Sequence, residues 1–132
     1  MGDTDDRRRS LRKHINMKVR VSNWRPGSLV GREALDLKTP SDAQGQTVDV
    51  SEAGMQVQIN LPLKRMDLVM LRFTFPAENR LIAVDAEVRW ARPCRPDEGG
   101  IGFRVGFLLM FRDPDTANYY SQRAGGGSMI MV

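Results

Sequence analysis

The sequence predicts an all-β fold, a six-stranded antiparallel β-barrel with a short C-terminal helix. Three observations carry that expectation. Apolar side chains recur at every second position through most of the chain, the period of a strand with one buried face. Turn-forming clusters separate these runs at short intervals: Leu61-Pro62, Pro76-Ala77-Glu78-Asn79 and Arg95-Pro96-Asp97-Glu98-Gly99-Gly100. Little helical periodicity intervenes, and a run of short strands at this length closes most simply into a small barrel without exposed edges.

Each element follows from its residues. Ile15, Met17, Val19 and Val21 alternate with Asn16, Lys18 and Arg20, giving a first half-buried strand. The stretch from Trp24 to Gln46 is irregular, with room for a helical turn over Arg32–Lys38 that ends before Pro40. A short strand through Thr47-Val48-Asp49 comes next, followed by Met55, Val57 and Ile59 alternating with glutamines. Val69, Leu71, Phe73 and Phe75 share one face of a fourth strand. Ile82, Val84, Ala86, Val88 and Trp90 share a face of the fifth, so Trp90 is expected at the core or its rim. Phe103, Val105, Phe107, Leu109 and Phe111 mark the sixth, which Leu108 and Met110 make apolar on both sides. Met55, Met66, Met70 and Met110 are expected as core filler. Asp113-Pro114-Asp115 reads as a helix start, with the helix stopping before Gly125.

One domain accounts for the length. Its expected extent is 7–123, with 1–6 and the glycine-rich 124–132 as flexible ends. No apolar run is long enough to cross a bilayer and the start is charged, so a cytoplasmic protein is expected. The single Cys94 rules out an intrachain disulfide, and the single His14 rules out a histidine triad or cluster within one chain. Asp85 and Glu87 share a strand face with nothing to mark them as an acid–base couple. No catalytic residue, metal site or resident cofactor is expected, and the chain reads as a binding protein, not an enzyme.

Two polar motifs stand outside the barrel pattern. Arg7-Arg8-Arg9-Ser10-Leu11-Arg12 opens a basic stretch within a chain of net charge +4. A guanidinium donates two parallel, charge-assisted bonds to a phosphate or to the O6/N7 edge of guanine, and its flat face stacks on a purine. The same cluster on its own also suits a solvated basic arm. Asp49-Val50-Ser51-Glu52-Ala53-Gly54 supplies a carboxylate for the guanine N1 and N2 donors, a hydroxyl two residues on, and a glycine that permits close approach. Alone it equally suits an Asx-turn with a glycine bend.

Together the motifs resemble the PilZ domain, a bacterial receptor module for cyclic di-GMP. Its signature is RxxxR followed, after a strand, by (D/N)xSxxG. Arg8–Arg12 and Asp49–Gly54 fit the two parts, and the strand ending in Trp90 and the run Arg104-Val105-Gly106-Phe107 are similar to the family's late strands. The resemblance covers about Arg7 to Phe111. It implies that Arg8 and Arg12 grip phosphates and a guanine edge, while Asp49, Ser51 and Gly54 seat a guanine. It further implies that Arg7 favours a stacked pair of ligands. Separately, the high charge of the Arg7–Arg12 arm and its lack of apolar anchors, with only Leu11 and then Ile15 available, predict that it orders on binding. The partners expected are cyclic di-GMP and a protein target. Two alternatives remain open: a small basic barrel binding single-stranded nucleic acid, and a PilZ-like interaction module that acts without ligand.

Overall fold

Six strands run antiparallel around a closed barrel in the order β1-β2-β3-β6-β5-β4, as seen in a computed structural model that describes residues 12–27 and 42–125. The strands are β1 Lys18–Arg25, β2 Asp42–Ser51, β3 Gly54–Ile59, β4 Leu68–Thr74, β5 Leu81–Pro93 and β6 Phe103–Met110. A helix, α1 Pro114–Ala124, follows. Closure comes from β1, which pairs with β2 on one edge and β4 on the other.

The period-two pattern decides what lies inside. Val19, Val21, Val57, Leu71, Ile82, Val88 and Val105 are essentially inaccessible, and they belong to one continuous core. Alternation also corrects the methionines. Met55 is buried, but Met66 is 53% exposed, and Met70 and Met110 sit half-buried at outward positions of their strands. Strand parity places them there, whatever their hydrophobicity.

Strand limits differ from expectation at both ends of β1 and at the start of β2. β1 runs through Trp24 to Arg25, while the preceding 12–17 run alongside β2 outside the regular ladder. β2 is ten residues long instead of a short Thr47–Asp49 strand. Its first half pairs with β1 and its second half with β3, with Gln46 common to both registers. Polar Gln44 and Gln46 hid this half of the strand, because only one side of it meets the core. The expected helical turn over Arg32–Lys38 lies outside the described residues, as do Arg7, Arg8 and the stretch 126–132.

Two polar clusters fix the connections. Buried Asp67 accepts hydrogen bonds from the Trp24 indole at 2.9 Å, from Gly27 N at 3.0 Å and from Lys64 N at 2.8 Å, tying the end of β1 to the turn before β4. Between β5 and β6, Glu98 is clamped by Arg92 through two 2.8 Å bonds and accepts a third from Arg95 N at 2.8 Å. Arg104 approaches the same carboxylate at 3.6 Å. The Arg92 bonds first, then the Arg95 N–H, hold the Glu98 carboxyl down at about 2 instead of its usual 4.5.

Helix α1 starts as its sequence predicts: Asp113 accepts from Thr116 N at 3.0 Å and Pro114 occupies the first turn. It continues to Ala124, one residue past the expected domain limit, and Ala124 is buried. Tyr120 is the anchor. It is fully buried, and its ring centre lies 5.9, 5.6 and 5.4 Å from those of Phe73, Phe75 and Phe111.

Candidate functional site

The backbone of segment 12–17 is bonded to β2 at Lys13, Ile15 and Met17. Lys13 and Val50 exchange backbone hydrogen bonds of 2.8 and 2.9 Å. Met17 N donates to the Thr47 hydroxyl at 2.8 Å, and the same hydroxyl donates to the Ile15 carbonyl. This pairing brings Arg12 to the second motif, where its guanidinium meets the Asp49 carboxylate at 3.1 Å across 37 residues of sequence. Asp49 is nearly buried, its side chain only 10% exposed, whereas Arg12 is 57% exposed.

The rest of the second motif is the tight turn between β2 and β3. Ser51 and Gly54 are cross-strand partners flanking Glu52 and Ala53. Ala53 O accepts from Leu109 N at 2.9 Å, which fastens the turn to β6. At Gly54 a Cβ would stand 2.6 Å from the Phe107 carbonyl oxygen, so β3 and β6 approach there only because the residue is glycine. From beneath, the Tyr120 hydroxyl donates to Gly54 O at 2.6 Å. Burial pushes the Tyr120 phenol far above its usual range, and the Asp49 charge pushes in the same direction.

A cleft of about 360 Å³ opens over this turn. Arg12, Ser51, Glu52 and Gly54 form one wall, and Arg89 and Trp90 form the opposite one across Gly106. Trp90 corrects the sequence expectation. A bulge between Val88 and Trp90 puts Val88 opposite Phe107 but Trp90 opposite Gly106, so the alternation slips by one residue and the indole turns outward. It is 40% exposed and lies flat against β6, where a Cβ on Gly106 would come within 2.1 Å of its Nε1. Gly106 was visible in the sequence, but that it faces Trp90 follows only from the bulged register. Arg89, the extra residue of the bulge, projects to solvent beside it.

A larger groove, about 540 Å³, lies elsewhere on the barrel between Gln44–Val48 and Gln58–Asn60. Its lining is amide and aliphatic without a charged side chain, which is poorly suited to an anionic ligand. The smaller cleft combines cations, a carboxylate behind one of them, a hydroxyl and an aromatic face. It is therefore the site with recognition chemistry. Of the residues singled out from sequence, Arg12, Ser51 and Gly54 line this cleft and Asp49 is bonded to Arg12 behind it, while Arg7 and Arg8 lie outside the described residues. Among the described residues no group of three or more His, Cys, Asp or Glu side chains could hold a metal ion.

The PilZ domain model matches residues 6–118. The chain belongs to the PilZ domain family. Solved structures share the fold of this PilZ domain at low sequence identity. The Bacillus subtilis inhibitor of motility (MotI/DgrA) superposes with a TM-score of 0.65 at 13% identity over 89% of this chain. The chain spans only 49% of that protein. The PilZ domain of CeSA from a cellulose-synthesizing bacterium gives 0.56 at 18% identity, covering 87% of this chain and 95% of its own. The PilZ domain of YcgR from Escherichia coli, solved with cyclic di-GMP, gives 0.58 at 14% identity, covering 89% and 88%. No curated protein matches the chain.

Proposed function

We propose that this PilZ domain is a receptor for cyclic di-GMP, held in the cleft between the β2–β3 turn and Trp90. The observation that carries the reading is that Arg12, on the wall of a cleft that also presents Ser51, Gly54 and Trp90, pairs at 3.1 Å with the nearly buried Asp49 behind it. Family membership and the YcgR domain with cyclic di-GMP support the choice of ligand.

Each group has a role in this reading. Arg12 and Arg8 bind phosphate oxygens and a guanine O6/N7 edge through charge-assisted bonds, each contributing about 1.5–3 kcal/mol net. Asp49 gives up its bond to Arg12 and accepts from guanine N1 and N2, so one carboxylate serves both states. Ser51 hydrogen-bonds the same base, and Gly54 leaves the turn open. Trp90 supplies a stacking face. Arg7 favours a stacked pair of ligands, and the arm of residues 7–12 closes over them, changing the surface a partner protein meets.

Calorimetric titration with cyclic di-GMP tests the reading, with GTP, cyclic di-AMP and an oligonucleotide as controls. The expected result is selective binding that weakens at least tenfold in Arg8→Ala, Arg12→Ala and Asp49→Ala, with a stoichiometry of two ligands per chain lost in Arg7→Ala. Hydrogen exchange over residues 5–13 is expected to slow with ligand. Oligonucleotide binding without a response to cyclic di-GMP would identify the site as a single-strand nucleic-acid surface instead.

A further inference from the structure

The charges around the cleft are unequally committed. Arg12 is held by Asp49 at 3.1 Å, so much of its charge is already balanced. Glu52 lines the same wall and adds a carboxylate that repels an anion. Taken together, Arg12, Asp49 and Glu52 carry more negative than positive charge. Arg89, on the opposite wall, is the other cation that lines the cleft. Among the described residues it makes no ion pair, whereas Arg92, Arg112 and Arg123 each meet a carboxylate. The fold explains why Arg89 is left free. The ladder between β4 and β5 ends at Leu68 and Glu87, so no β4 residue stands opposite it. As the extra residue of the bulge, it stays exposed while Trp90 turns outward beside it. A guanidinium and an indole on consecutive residues thus border one cleft, beside a strand kept low by Gly106.

We propose that Arg89 is a phosphate-binding residue of the cleft, supplied by the barrel itself and lying outside both sequence motifs, and that it meets a different phosphate from the one Arg12 meets. The inference rests on the reading of the cleft as a cyclic di-GMP site. A cyclic dinucleotide carries its two phosphates on opposite sides of one ring, so two cations on facing walls reach one each. A base stacked on Trp90 brings the phosphate joined to it beside the neighbouring residue. Arg89 breaks no ion pair in order to bind, unlike Arg12, whose bond to Asp49 is exchanged. A phosphate needs charge more than a planar fork, so an ammonium at position 89 serves the same purpose. A contact to a guanine O6/N7 edge would instead require the arginine fork.

Calorimetric titration with cyclic di-GMP tests it in the wild type, Arg12→Ala, Arg89→Gln, Arg89→Lys and the Arg12→Ala/Arg89→Gln double variant. Arg89→Gln is expected to weaken binding about tenfold or more, and Arg89→Lys to restore most of the loss. The tryptophan emission of free Arg89→Gln is expected to match the wild type, because the side chain is exposed and Trp90 keeps its place. The double variant is expected to lose the product of the two single factors, as independent contacts do. A wild type that does not bind cyclic di-GMP overturns the reading of the cleft and this assignment together. A wild type that binds, weakened by Arg12→Ala but unchanged in Arg89→Gln, overturns the assignment alone and leaves the reading standing. Loss in Arg89→Lys as deep as in Arg89→Gln makes the contact a base edge and overturns it. So does a shifted emission in Arg89→Gln, which would route the loss through Trp90. A double variant that binds more tightly than the product means that both arginines share one phosphate, and the separate contact is then withdrawn.

Discussion

At the scale of single residues, the site depends on a pair that sits 16 positions apart, Trp90 and Gly106. The indole can lie against β6 only because Gly106 has no Cβ, which would otherwise come within 2.1 Å of it. Trp90 therefore presents an open ring face to the cleft, and base–aromatic stacking contributes about 1–3 kcal/mol. Trp90→Ala is expected to weaken cyclic di-GMP binding by about five- to 150-fold, with the melting temperature nearly unchanged because the ring is 40% exposed. Gly106→Ala is expected to do nearly the same by displacing the ring without removing it, and a shifted tryptophan emission would report the displacement. Retention of full affinity in both variants would remove Trp90 from the site. This residue was not legible in the sequence, because strict alternation assigns it to the core and the bulge that overrides alternation leaves no local composition signal. Arg12, Asp49, Ser51 and Gly54 were legible, because their side-chain chemistry and order along the chain did not depend on the register of any strand.

At the scale of elements, the ladder is mostly what the alternation predicts, and the departures occur where one face of a strand lacks an apolar partner. The first half of β2 is the main example, with Ala43 and Gly45 as its small inward residues between glutamines. Gly45 has no room for a Cβ, which would meet Val57 Cγ1 at 2.8 Å, so packing is close where the sequence reads as a loop. The connection from β5 to β6 was read correctly as a turn, but its anchoring was not visible, because Glu98 gains its partners from Arg92 and Arg104 on two different strands. That anchoring sets a pH dependence. The carboxyl is depressed from 4.5 to about 2 in the folded protein, so its contribution is complete above pH 4.5 and is lost as the pH falls toward 2. Amide resonances of Gly99, Gly100 and Gly102 are expected to broaden or shift over that window. Glu98→Gln is expected to show the loosened loop already at neutral pH and no transition on acidification. A loop that titrates near 4.5 in the wild type would contradict the clamp.

For the molecule as a whole, α1 belongs to the barrel's core and is not an appendage to it. Its Tyr120 closes an aromatic cluster with Phe73, Phe75 and Phe111, and its hydroxyl ends on the carbonyl of Gly54 in the second motif. At the helix C-terminus, Lys13 Nζ donates to the Arg123 carbonyl oxygen at 3.2 Å, while Gly125 packs against Glu52. The arm, the β2–β3 turn and the helix therefore share one end of the barrel. Unfolding is expected to be a single cooperative transition in urea, with far-ultraviolet circular dichroism and tryptophan emission coincident. Tyr120→Phe keeps the packing and removes one neutral hydrogen bond, so it is expected to cost about 1 kcal/mol. Tyr120→Ala opens a cavity among three phenylalanines and is expected to cost about 3–5 kcal/mol, a large share of the roughly 5–15 kcal/mol that holds a domain folded. The distinction between the two variants matters more than either value. If the helix were merely attached, Tyr120→Ala would melt α1 in an early phase and leave the barrel's midpoint where it was. A midpoint that falls for every probe together shows that the turn carrying Asp49, Ser51 and Gly54 draws its rigidity from the far end of the chain.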